Sequence, residues 1–152
     1  MKIKKVLFVC KYNAFRSRVA EEYFNRVNRN ESIKAASRGI IMGANSDYVQ
    51  RRISRYLLGI NIAKRKPLPL TVQDMKGADM IVVTANDVPK TVFDYRFPSL
   101  QKRLIIWKIK DEQAMNEKNI RNIVLKIKRK VNALSKNWRK QNDTRNRARK
   151  RI

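Results

Sequence analysis

Histidine is absent from the 152-residue chain, and cysteine occurs once, at position 10. The first absence excludes Cys-His and Ser-His nucleophile pairs and most zinc sites. The second excludes an internal disulfide, so no disulfide framework supports the fold, and a reducing cytoplasm is the expected location. Acids are scarce: 12 Asp and Glu stand against 37 Lys and Arg, a formal net charge of +25. Such a chain attracts anions of any size, which affects solubility and partners but not the fold. Long apolar runs are lacking as well. The opening MKIKKVLFVC starts basic, but its apolar stretch is too short for a secretory signal. No later segment approaches a membrane-spanning length, so no membrane partner is expected.

The length suits one domain with a real core. Apolar runs rich in β-branched residues recur at 3–10, 79–85 and 103–109, and 33–37 is a weaker fourth strand candidate. Helical patterns separate them. Val19, Ala20, Tyr23, Phe24 and Val27 share one helix face, as do Tyr48, Val49, Ile53, Tyr56 and Leu57, with Ser46 as a candidate N-cap and Gly59 as a stop. Thr71 to Asp74 forms a capping-box pattern. A last helix is predicted from about Asn116 to Leu134 or beyond, with Trp138 within its reach. Strands alternating with helices predict an α/β fold, a three-layer doubly wound domain on a four-stranded parallel sheet over residues 1–134. Residues 135–152 follow as a basic tail, with eight Lys and Arg against one Asp, or +7 of the total.

Cys10 ends the first predicted strand, and Arg16 opens the first predicted helix after a short turn. Parallel α/β folds bind ligands at the carboxyl ends of their strands. A loop of this size can turn several backbone N–H groups inward, and the helix N-terminus adds its positive end. The planar fork of Arg16 suits a tetrahedral oxyanion, and an anion cradle also favours a sulfur anion placed beneath it. The spacing alone is weak evidence in a chain with 18 arginines. The preceding strand, the following helix, the Ser17 hydroxyl and the Asn13 amide strengthen it. The competing reading is a small buried cysteine that ends a strand.

These residues resemble the low-molecular-weight protein tyrosine phosphatases and their thioredoxin-linked arsenate reductase relatives, whose V-C-x-x-N-x-x-R-S motif matches Val9-Cys10, Asn13 and Arg16-Ser17. The resemblance continues through Ser37-Arg38-Gly39, Leu70-Thr71 with Asp74, Ala78-Asp79, and Trp107 to Asp111. It implies a phosphate-binding loop of Cys10, Lys11, Tyr12, Asn13, Ala14, Phe15, Arg16 and Ser17. Catalysis would rest on Cys10 as nucleophile, Arg16 as oxyanion holder and Asp111 as general acid, with Glu112 as the substitute acid. Ser17 would bond the sulfur, and Asn13, tied to Ser37, would hold the loop open; no metal or cofactor is called for. The chain departs from the family at Tyr12, where glycine is usual. A positive φ there would strain tyrosine by about 1–2 kcal/mol. Phe15 replaces a frequent second cysteine, Thr84-Ala85 stands where an aspartate follows the third strand, and Lys64-Arg65-Lys66 replaces a region that often holds histidine.

The resemblance implies a phosphomonoester hydrolase acting on a phosphorylated protein or small molecule. An arsenate reductase is the alternative, and with one cysteine it would need an external thiol. A third reading, from the charge, is a protein that binds nucleic acid or another polyanion through its basic tail.

Overall fold

A computed structural model describes residues 3–94, 98–111 and 116–150. Four parallel strands, β1 (Lys5–Cys10), β2 (Lys34–Gly39), β3 (Met80–Ala85) and β4 (Leu104–Ile109), form one sheet in the order β2-β1-β3-β4. All four correspond to the apolar runs read from the sequence. Alternation along β1 sorts its side chains: Val6 and Phe8 enter one core cluster, Leu7 and Val9 the other. The first cluster is closed by α1 (Arg16–Val27), α2 (Tyr48–Leu58) and α5 (Glu117–Lys150). The opposite face is covered by α3 (Val72–Gly77), α4 (Thr91–Asp94) and a 3-10 stretch at Pro98–Arg103. The result is the three-layer doubly wound architecture expected. No helix among the described residues is long and apolar enough to cross a membrane.

Helix starts differ from expectation at one point. The N-cap of α2 is Asp47, whose side chain accepts from the Gln50 N–H while Gln50 returns a bond to the cap backbone. Ser46 lies one residue too early, and its hydroxyl is buried with no partner among the described residues. The capping box of Thr71 and Asp74 forms as read. Tyr48 and Tyr56, assigned by periodicity to the buried stripe of α2, are exposed; Ile53, Ser54 and Leu58 make the buried face.

Leu134 falls inside α5, which continues past it with Ser135 and Trp138 buried. Trp138 meets Phe24 edge-on at 5.6 Å, and Phe8 bridges Phe24 and Trp107 at 6.1 and 5.7 Å. Each such ring pair contributes about 0.5–1.5 kcal/mol beyond its area. The aromatic row locks α1 and the start of α5's last turns onto the strand that carries Cys10.

Candidate active site

Chain order and strand order diverge between β1 and β3, since the chain goes left to β2 and returns to the right for β3 and β4. Loops leaving β1 and β3 therefore part company at the carboxyl end of the sheet and leave a crevice. Cys10 is the last residue of β1, at that point. The crevice is a cleft of about 430 Å³, bordered by Cys10, Tyr12, Phe15 and Arg16 from the first loop, by Asp47 and Gln50 from α2, and by Asp111 after β4.

Inside the loop, Asn13 organises the rest. Its φ is +58°, the left-handed region that asparagine tolerates better than most residues. That turn aims its backbone N–H at Cys10 Sγ, 3.3 Å away. Its fully buried amide is saturated: Nδ2 donates to Ser17 Oγ and to Ser37 Oγ, both at 2.8 Å, and Oδ1 accepts from the Leu68 N–H at 3.0 Å and Arg65 Nη1 at 3.2 Å. Because Ser17 Oγ already accepts from Asn13, its own proton is free to point at Cys10 Sγ, 2.9 Å away. The Ser17 hydroxyl and the Asn13 N–H thus converge on the sulfur. Tyr12 does not have a positive φ, so the strain expected there is absent; the left-handed residue is its neighbour Asn13.

Glycine is needed at Gly39, where an added Cβ would lie 2.6 Å from the Tyr12 carbonyl carbon and 2.7 Å from the Asn13 nitrogen. The end of β2 is therefore a floor on which the loop backbone rests. At Gly43 a Cβ would instead meet the Tyr12 ring, at 2.5 Å from Cδ1. Tyr12 is held over this glycine as one wall of the cleft, with Lys11 Nζ 5.1 Å from the ring centre.

Arg16 is almost wholly buried and anchored by groups at the carboxyl ends of β3 and β4. Nη1 donates to the Ile109 carbonyl at 2.9 Å, and Nη2 reaches both carboxylate oxygens of Asp87 at 3.0 and 3.1 Å. Asp111 Oδ2 stands 3.6 Å from Nη2. Asp87 is one residue that sequence reasoning missed; Arg65 is another. Thr84 and Ala85 are still in β3, and the chain needs two more residues to bring a carboxylate back over Arg16. Its signal was an acid just beyond a strand's carboxyl end in a chain poor in acids.

The amino-acid sequence matches the family described as low molecular weight phosphotyrosine protein phosphatase over residues 5–144. This chain belongs to that family. A comparison with curated proteins returns no match. Among solved structures, a low molecular weight protein tyrosine phosphatase from T. tengcongensis aligns with a TM-score of 0.77 at 21% identity, over 88% of this chain and 98% of that one. The YwlE arginine phosphatase from Geobacillus stearothermophilus aligns at 0.79 and 15%, over 91% and 94%. A thioredoxin-dependent arsenate reductase from Corynebacterium glutamicum aligns at 0.68 and 22%, over 91% and 63%. At these identities the structural likeness is one of fold. Membership of the phosphatase family implies a phosphorylated substrate, and these matches lend the nucleic-acid reading no support.

In this member of the phosphatase family, Arg65 supports the loop from behind. Besides Asn13 Oδ1 it donates Nη2 to the Ser37 carbonyl at 2.9 Å and to Ser37 Oγ at 3.0 Å, and it pairs with Glu21 at 3.0 Å. Glu21 in turn pairs with Arg18, which is buried and also bonds Glu22 and the Ile62 carbonyl. Burial pushes both guanidinium groups below their ordinary range; the neighbouring Arg65 charge adds to this for Arg18, and Glu22 opposes it for both. The row Arg18, Glu21, Arg65, Asn13, Ser17 runs unbroken to the sulfur. Trp107, read as part of a family motif, is partly buried and packs against the core on Phe8, beside Lys130. Glu112 lies outside the described residues. Tyr48 does not line the cleft, whereas Phe15 lines it from a buried position.

Proposed function

We infer that this phosphatase hydrolyses phosphomonoesters through a phosphocysteine on Cys10. The observation that carries the reading is the convergence of Ser17 Oγ and the Asn13 N–H on Cys10 Sγ, in a cleft where Arg16 and Asp111 stand together. In the first step the Cys10 sulfur attacks phosphorus and the bond to the ester oxygen breaks. Asp111 gives its proton to that oxygen as it leaves. Arg16 and the loop N–H groups hold the equatorial oxygens as charge shifts onto them. In the second step water attacks the phosphocysteine, Asp111 takes the water's proton, and the sulfur leaves as a thiolate that the Ser17 hydroxyl stabilises. Phosphate departs and the free enzyme is restored.

A lone, buried nucleophile without a resolving thiol suits a reducing compartment such as the cytoplasm. The cleft has two aromatic residues in its lining, Tyr12 at the rim and the buried Phe15, so a phosphorylated tyrosine in a protein is a suitable substrate. The test is turnover of an aryl phosphate by the purified chain. Activity should vanish in Cys10→Ser, which still binds inorganic phosphate, and the parent should be inhibited by vanadate. Absence of turnover in the parent overturns the reading. Asp111→Asn should slow substrates with poor leaving groups and spare those with good ones; an unchanged rate on both moves the acid role to Glu112.

A further inference from the structure

Two tyrosines of α2 lie in solvent, Tyr48 at 68% and Tyr56 at 79% exposure. With Arg51, Arg52 and Arg55 they border a groove of about 520 Å³. Positions 48, 52, 55 and 56 form one stripe at helical spacing, opposite the buried Ile53 and Leu58. Single exposed aromatics are ordinary. A pair of tyrosines flanked by three arginines in one concave surface has the composition of a recognition site, where Tyr and Arg are enriched.

The charge of the groove is only partly compensated. Arg52 pairs with Glu117, and Arg51 donates to the Ser46 carbonyl, which leaves its charge in place. Arg55 has no carboxylate partner among the described residues. Three guanidinium groups thus face one carboxylate. The groove and the cleft share helix α2: its N-cap Asp47 and first-turn Gln50 line the cleft, while Arg51, Arg52 and Arg55 further along it line the groove. From Asp47 to Arg55 the helix rises about 12 Å. An extended peptide spans that in roughly three or four residues.

The occupant must be anionic and must enter beside the phosphoryl group. A second copy of the chain is disfavoured, because both would carry +25. A nucleic acid strand needs a cationic track along its backbone, and the groove offers one short helix stripe. We propose that the groove binds the acidic segment of a polypeptide substrate, three or four residues from the phosphorylated side chain held in the cleft. This deepens the phosphatase reading and rests on it. The arginines meet the carboxylates, and the tyrosines cover the peptide and offer hydroxyls to it.

The experiment compares kcat/KM for two phosphopeptides that differ only in carrying Glu or Gln at those flanking positions, with an aryl phosphate as the third substrate. The parent should prefer the acidic peptide by about five- to tenfold at low salt, the product of two or three exposed ion pairs, and lose the preference as salt rises. Arg52→Gln with Arg55→Gln should bring the ratio to about twofold and leave aryl phosphate turnover unchanged; Arg55→Gln alone should go part of the way, without touching the Glu117 pair. A charge-matched control, Arg29→Gln with Lys34→Gln, removes two exposed cations at the other end of the sheet and should keep the preference. A ratio near one in a parent that hydrolyses the aryl phosphate overturns the groove and leaves the phosphatase reading intact. An equal fall in the control variant overturns it too, by assigning the preference to net charge. Retention of a single-stranded oligonucleotide by these arginines with no peptide preference makes the groove a nucleic-acid site and overturns the proposal. If no substrate is turned over, the phosphatase reading falls and the substrate groove falls with it.

Discussion

Replacing Arg65 by glutamine isolates what the row behind the loop does. The change removes the Nη1 bond to Asn13 Oδ1, the Nη2 bonds to Ser37, and one of the partners of Glu21. Hydrogen bonds from a charged donor contribute about 1.5–3 kcal/mol each. The Arg65 side chain is 29% exposed, so water replaces part of the loss. Glutamine's own amide replaces another part, and Arg18 still neutralises Glu21. A net destabilisation of roughly 2–3 kcal/mol follows, seen as a fall in Tm of about 5–10 °C. The catalytic effect is separate. With Oδ1 half-satisfied, the Asn13 amide loses the constraint that fixes its two donors on Ser17 and Ser37, and the N–H aimed at the sulfur drifts. A displacement of this kind costs about 10- to 100-fold in kcat, with KM little changed, since the cradle is complementary to the transition state more than to the substrate. Assays on an aryl phosphate well below the variant's Tm read this directly. Arg65→Lys, which keeps the charge beside Glu21 but not the fork, should recover stability more than rate. A glutamine variant that melts early yet keeps its kcat would refute the reasoning, because the loop would then hold its shape without Arg65.

Three further outcomes follow from the same geometry. Asp87→Asn keeps the shape but not the charge that anchors Arg16 Nη2; an effect of about 10-fold on kcat and weaker inhibition by phosphate is expected, measured on the same substrate. Gly39→Ala should destabilise the chain by about 1–3 kcal/mol and remove most activity, since its Cβ meets loop backbone, whereas Gly43→Ala meets a side chain that can swing and should alter KM alone. Asp74 is partly buried, which raises its pKa, but bonds from Thr71 and the Arg38 charge outweigh burial and hold it below the usual 3.8. Its stabilisation is full above that value and is lost as pH falls through the lower folded value, so the stability gap between parent and Asp74→Asn in denaturant titrations should shrink below about pH 4.

The strands were legible because each is an unbroken β-branched run bounded by turns, and in a parallel sheet covered on both faces such runs have no other place to go. Helix α2 was harder. Its apolar period takes in Tyr48 and Tyr56, but tyrosine has a polar tip and need not face inward; Ile53 and Leu58 already define a buried stripe, and the two tyrosines sit off it. The reach of α5 turned on Trp138, whose edge contact with Phe24 is a tertiary reward that no local propensity contains.

The candidate site divides along the same line. Cys10, Asn13, Arg16 and Ser17 lie within one short loop, so their chemistry is a matter of local spacing and could be read. Asp87 and Arg65 act on that loop across 71 and 52 residues of chain, through the register of β3 and the turn before Pro69. Their roles depend on where the sheet delivers them. Arg65 shows why residue type alone misleads here: in a chain of 18 arginines it reads as one more surface cation. Yet Asn13 Oδ1 is buried, and a buried acceptor in a left-handed turn must be met by donors from elsewhere in the fold. Asking which residue satisfies Asn13, rather than which residue is charged, leads from the loop to the Leu68 N–H and Arg65, and from Arg65 to Glu21 and Arg18. The support of the nucleophile thus rests on the partners that satisfy one buried asparagine.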